Sequence, residues 1–271
     1  TLVGKNARRV NYHVIFSDEV SVDDIENHFF GQLHFQRDGT PAGGSHEWMI
    51  SKTNLEHLGN ELLSENPGLN GSSYSIGCMN ATVDPTKVQE LLSKKGPIFK
   101  GKYLLVLAEE DLSEMPWNGQ DHHTRKMLIK SSHAIFNSNA KSIKWYRGEG
   151  SIDPEQFRKE FGSLKPCYHG SDAHQLDKIA KPDKDRFCWI KADPTFEGLR
   201  QTVFEPSQRV WIGSDVPRYK NDYQIIESVR IDNVPEWFGA AAIPLNRDLV
   251  TVVGGKGSGK SALAELIAFG G

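Results

Sequence analysis

Tyr103-Leu104-Leu105-Val106-Leu107 is a continuous apolar run, the mark of a strand covered on both faces and so of a parallel sheet flanked by helices. Upstream, Val10 to Phe16 alternates. Val10, Tyr12, Val14 and Phe16 share one face, with Asn11, His13 and Ile15 on the other, which predicts a strand. Downstream, Ala134-Ile135-Phe136 predicts a short strand, and another is expected to end at His169. Helical patterns fall between. Ser21 caps one, with Asp24 placed for a capping box and Ile25 and Phe29 inward. Another runs from about Ser51, with Leu55, Leu58 and Leu62 at helical spacing. Pro85 opens a third, with Val88, Leu91 and Leu92 inward and Gly96 as its stop. His123 to Lys130 reads as helix, and so does Pro154 to Phe161, ended by Gly162. Residues 36–47 and the polar stretch from Asn66-Pro67-Gly68 to about Asn80 read as irregular. The alternation predicts an α/β domain with a parallel sheet or barrel.

The 271 residues, 38% of them apolar and 25% charged, describe a chain able to bury a useful core. No segment has the length and apolarity of a membrane span, and no signal-peptide pattern opens the chain. Cys78, Cys167 and Cys188 are few and widely spaced, which fits a reducing, cytoplasmic setting. A net charge of −3 gives no general attraction to a polyanion, so any nucleic-acid contact needs a local patch.

Around Pro217 to Asp222 the text turns polar, and a domain boundary is expected near residue 215, separating 1–215 from 216–271. Two strand-like runs follow, Gln224 to Ile231 and Leu249 to Val253. The second feeds Gly254-Gly255-Lys256-Gly257-Ser258-Gly259-Lys260-Ser261, which fits the P-loop pattern without a gap. Leu263, Leu266 and Ile267 then share one helix face. Gly254, Gly255, Gly257 and Gly259 let backbone N–H groups turn toward one phosphate, Lys260 is expected to reach the β- and γ-phosphates of ATP, and Ser261 to help hold Mg²⁺. The chain begins at Thr1 and stops just after this helix, so it reads as a piece of a longer protein.

A second group of chemistry-bearing residues is Cys167-Tyr168-His169-Gly170-Ser171-Asp172-Ala173-His174. A carboxylate and one or two imidazoles after a strand suit Zn²⁺, Mn²⁺ or Fe²⁺. By spacing alone, a loop histidine hydrogen-bonded to backbone competes with that reading. Asp121-His122-His123 favours a helix start over a metal site, and the tryptophans Trp145, Trp189, Trp211 and Trp237 favour core or domain-junction anchors over base-stacking platforms. Lys94-Lys95 and Arg8-Arg9 read as solvated charge.

Gly170-Ser171-Asp172-Ala173-His174 resembles the closing metal motif of the PHP (polymerase and histidinol phosphatase) superfamily. The run from Trp189 to Gln201, the Tyr12-to-Glu19 stretch and Gly31-Gln32-Leu33-His34-Phe35 resemble the PHP-associated, AAA-like ATPases of the TrlF family. The likeness covers nearly the whole chain and is most specific over residues 189–201. It implies a distorted PHP-type β/α barrel, lacking its N-terminal part, followed by the first strands and P-loop of an SMC/ABC-like ATPase. It further implies metal ligation by His13, Asp172 and His174, with His169 a candidate outside the standard motif, and catalysis at Asp172 and His174. The H-x-H strand that opens PHP domains is absent, so the chain is expected to carry only part of a metal site. His133 would lie at the wrong end of its strand and reads as structural. The leading expectation is an ATP-dependent, metal-assisted phosphoesterase or nuclease, a hydrolase acting on nucleic acid and dimerising through its ATPase domain. The runner-up is a nucleic-acid-sensing ATPase whose PHP module is an inactive scaffold; a small-molecule P-loop kinase is the third.

Overall fold

The computed structural model describes the chain except for residues 1, 4–7, 37–46, 95, 114, 120, 218–221, 233–235, 237, 238, 240, 248 and 271. Most of the loop expected over 36–47, together with Lys95 and Trp237, therefore lies outside the described residues. The chain separates into two compact units, Thr1–Val216 and Pro217–Gly271.

In the first unit, β1 (Leu2–Val3) pairs with β2 (Arg8–Arg9), and β3 (Tyr12–Phe16) follows. Ser21 caps α1 (Val22–His28), its hydroxyl accepting from the Asp24 amide as the capping pattern predicts. β4 (His34–Gln36) pairs antiparallel with β5 (Glu47–Met49), so both ends of the stretch expected as loop are strand. Ser51 caps α2 (Lys52–Glu65), and Ser72 caps α3 (Ser73–Asn80), where the sequence reads as irregular. What makes α3 is contact rather than propensity. Gly59 of α2 and Gly77 of α3 bring the two backbones together, and a Cβ on Gly59 would stand 1.7 Å from the Ser73 carbonyl oxygen. α4 (Pro85–Lys94) forms and ends before Gly96, as expected, and Gly96 itself opens the short α5 (Gly96–Phe99).

β6 (Tyr103–Ala108) runs straight into α6 (Glu109–Ser113); α7 (His122–Ser131), β7 (Ala134–Phe136), α8 (Ala140–Tyr146), α9 (Pro154–Phe161) and β8 (Cys167–Tyr168) follow. Asp153 caps α9 and Gly162, at φ +83°, ends it. An antiparallel hairpin-like pair, β9 (Phe187–Ile190) with β10 (Val210–Gly213), encloses α10 (Phe196–Gln201) and α11 (Pro206–Arg209).

The central sheet has the order β3-β6-β7-β8. Its β6, β7 and β8 are parallel, as the apolar runs predict, whereas β3 lies antiparallel on β6 with His13 opposite Val106. Among the described residues the sheet is open, not a closed barrel. Both faces are covered. Tyr12, Val14 and Phe16 pack with Phe29, Val88, Leu92, Phe99 and Leu105, while Ile15, Val106 and Phe136 pack on the other face with Tyr168, Val210 and Leu199. A third cluster, centred on Tyr146, Phe157 and Phe161, seats α8 and α9 against β6 to β8.

In the second unit β11 (Ser228–Val229) pairs with β12 (Ile243–Pro244), only a fraction of the strand expected over 224–231. Leu249 to Val253 does not form a strand: no neighbour among the described residues supplies a ladder, and Leu249 and Val253 are 79% and 83% exposed. The P-loop helix, α12 (Lys260–Gly270), forms, but none of its residues is buried in this unit.

Candidate functional site

The three parallel strands end on one edge of the sheet, and each ends in polar residues. β6 gives way to Glu109 and Glu110, β7 to Asn137, Ser138 and Asn139, and β8 to His169, Gly170 and Asp172. All of them line one open pocket of about 720 Å³. Open α/β sheets place ligand sites outside the carboxyl ends of their strands, because loops there converge without breaking the ladder. Since β3 runs the other way, its beginning borders that edge, and His13 joins the same lining.

The ladder between β7 and β8 carries the His169 loop to the edge. Ile135 N–H donates to Pro166 O and Asn137 N–H to Tyr168 O, both at 3.0 Å. Beyond it Asp172 adopts φ +47°, unusual for a residue with a side chain, and turns the chain outward. His174 is not part of the pocket lining. Its Nε2 lies 3.9 Å from Asp172 Oδ1, and the two side chains are 89% and 96% exposed.

His169 Nε2 is buried without a hydrogen-bond partner among the described residues. Burial, helped by the charge of Arg186, holds this imidazole below its ordinary pKa, so it is neutral near pH 7. A neutral, unpartnered ring nitrogen is what a metal ligand requires. Glu109 was not singled out by the sequence reading. Burial raises its carboxyl above the usual carboxylate range, against the opposing pull of Ser142, Arg125 and Tyr146, and its Oε2 has no hydrogen-bond partner among the described residues. An acidic pair set directly after a buried apolar strand, Ala108-Glu109-Glu110, is the signal that could have found it.

Imidazoles and carboxylates are the right donors for Zn²⁺, Mn²⁺ or Fe²⁺, and the orphaned His169 nitrogen supports that fit. As the side chains stand, no three His, Cys, Asp or Glu among the described residues converge on one ion position.

No family model, no curated protein and no solved structure matches this chain.

Other histidines have ordinary roles. His133 Nδ1 accepts from Leu105 N–H at 2.9 Å, and its main-chain N–H donates to Leu105 O at 2.8 Å, joining β6 to the start of β7. His122 lies beside Trp117, its Nδ1 2.7 Å from the Trp117 carbonyl oxygen. Trp145 packs on Phe157 and Phe161, and Trp189 Nε1 donates to Gly213 O, so both serve as anchors.

In the second unit the P-loop is a compact turn. Gly257 and Gly259 both take φ +83°, a region open to glycine at little cost. Lys260 Nζ donates to Gly254 O and Gly255 O, each at 2.7 Å, and Ser258 Oγ to Gly255 O at 2.9 Å. The ammonium thus sits over the loop, with the N-terminus of α12 beside it. No helix among the described residues is long and apolar enough to cross a membrane.

Proposed function

We propose that this chain belongs to an ATP-binding hydrolase in which a PHP-type, metal-dependent phosphoesterase or nuclease, acting on nucleic acid, is coupled to an SMC/ABC-like ATPase. The observation that carries the reading is the meeting of His13, from β3, with His169 and Asp172, from the loop after β8, on one pocket at the carboxyl edge of the parallel strands. The likeness of Gly170-to-His174 and of Trp189-to-Gln201 to PHP-associated ATPases supports the same reading.

In this mechanism His13, His169 and Asp172 would hold a divalent metal, with His174 next to Asp172, and such an ion would supply activation of water and neutralisation of phosphate charge. The chain's own groups do the rest. Arg125, on the pocket wall, faces the phosphate oxygens with a fixed positive charge. Glu109, which keeps its proton to higher pH than an exposed glutamate, donates it to the leaving oxygen. At the P-loop, Lys260 would exchange its two loop carbonyls for phosphate oxygens of ATP, and Ser261 would help hold Mg²⁺. Closure of two nucleotide sites across a cytoplasmic homodimer would couple turnover to the metal site.

Hydrolysis of bis(p-nitrophenyl) phosphate with Mn²⁺, measured on the full-length protein, tests the reading. Activity lost in Asp172→Ala supports it; activity unchanged by that substitution sinks it. A second reading, an ATPase that senses nucleic acid while the PHP module is only a scaffold, draws on the lack of a ready-made three-ligand cluster among the described residues. It requires ATP turnover stimulated by DNA or RNA, with no phosphoester cleavage under any metal.

A further inference from the structure

A second cavity, of about 700 Å³, shares Glu109, Arg125 and Ser142 with the pocket described above. One side of it is aromatic. Trp117 and Trp145 stand with centroids 5.8 Å apart and planes at 77°, backed by Phe161. Both tryptophans are only partly buried, so the cluster that anchors α8 and α9 also presents ring surface to the cavity. Its charged residues are mostly cationic. Lys141 and Lys144 are exposed on α8, and the Arg125 guanidinium lies 5.7 Å from the Trp117 ring centroid. Arg125 donates from Nη1 to Met115 O at 2.8 Å, while its Nε is buried without a hydrogen-bond partner among the described residues. Of the two carboxylates, Glu160 is engaged by Lys126 at 3.0 Å, and Glu109 is the wall shared with the neighbouring pocket.

Flat apolar surface beside several cations is the chemistry that recognises a nucleobase joined to a phosphate; stacking on aromatic side chains is tolerant of base identity, and lysine or arginine tracks the backbone. The size is ordinary for a small-ligand site. We propose that this cavity holds a base of a single-stranded nucleic acid whose adjoining phosphodiester lies in the His13–His169–Asp172 pocket. The placement of the phosphodiester rests on the function proposed above; the base site does not. It also supplies the local positive patch that a chain of net charge −3 needs in order to hold a polyanion.

The test uses the whole chain carrying Lys260→Ala, so that phosphate binding at the P-loop is weakened, in buffer containing a chelator. Two probes are titrated calorimetrically: a tetrathymidylate without terminal phosphate, and an abasic deoxyribose-phosphate strand of the same length. The expected result is binding of the base-bearing strand about ten-fold tighter than the abasic one, and about ten-fold weaker binding when Lys141→Glu and Lys144→Glu are added. Both lysines are exposed, so the fold is retained, and circular dichroism checks it. Equal binding of the two strands, binding of neither, or indifference to the lysine substitutions would overturn the proposal. Base-dependent binding without metal-dependent cleavage would leave this inference standing and remove the phosphoesterase reading. Cleavage with base-indifferent binding would do the reverse.

Discussion

The imidazole of His13 stands edge-on to the ring of Phe136, with centroids 4.9 Å apart and planes at 88°. The two residues come from strands on either side of β6, so the contact crosses the sheet. It fixes a histidine from near the start of the chain at the edge where three parallel strands end. A lone alternating strand in the sequence thereby acquires a place in a site.

Metal uptake is expected to follow the pocket lining. Elemental mass spectrometry of the purified full-length protein should find about one metal ion or more per chain. His13→Ala, His169→Ala and Asp172→Ala should each lower that content, whereas His174→Ala should leave most of it, because His174 is not in the lining. An equal loss in His174→Ala would mean that the exposed loop folds back over the metal.

The proposed ATP site is expected to depend on Lys260. Its ammonium already bridges two loop carbonyls, and hydrogen bonds to charged groups contribute about 1.5 to 3 kcal/mol each. Lys260→Ala should weaken binding of a fluorescent ATP analogue by about 100-fold, equivalent to about 3 kcal/mol. Unchanged affinity would show that the turn does not serve phosphate.

The contact between α2 and α3 leaves no room for a methyl group. A Cβ at Gly77 would fall 1.9 Å from the Leu55 carbonyl oxygen, as one at Gly59 would meet that of Ser73. Gly59→Ala and Gly77→Ala should each cost about 3 kcal/mol or more in urea unfolding, because backbone rather than a pliable side chain must move. Gly96→Ala, with nothing within 4 Å, should stay within about 0.5 kcal/mol of the parent.

Acid should weaken the first unit through His133. Burial, with the charge of Lys165 second, lowers its pKa from 6.5 to about 4, and the neutral ring accepts the Leu105 amide. The unfolded chain therefore binds the proton first as pH falls. Stability contributed by the neutral ring is complete above pH 6.5 and is lost toward pH 4, by about 3 kcal/mol at most. His133→Asn, whose Oδ1 can take the same amide, should flatten the dependence of the urea midpoint on pH in that window. A slope as steep as the parent's would place the acid sensitivity elsewhere.

Several elements are legible in the sequence because their causes are local. Ser21 and Ser51 cap helices through contacts three residues away, and Asp153 with Gly162 brackets α9. The run from Tyr103 to Leu107 reads as a buried strand because no polar residue interrupts it. The helix at Ser73–Asn80 was hidden because glycine and serine argue against helix until α2 is there to pack on. Leu249 to Val253 misleads in the opposite sense: β-branched residues favour a strand, but a strand exists only where a neighbour pairs with it.

By itself the sequence determined the α/β alternation, the capped helices, the buried apolar run of β6 and the glycine-rich turn before α12, all set by spacing within a few residues. Only the tertiary structure decided that β3 lies antiparallel, that His13, His169 and Asp172 share a pocket while His174 stands outside it, and that Glu109 joins them. The reason is physical. Strand direction and side-chain convergence depend on which elements bury their apolar faces against one another, and those partners lie tens of residues apart along the chain.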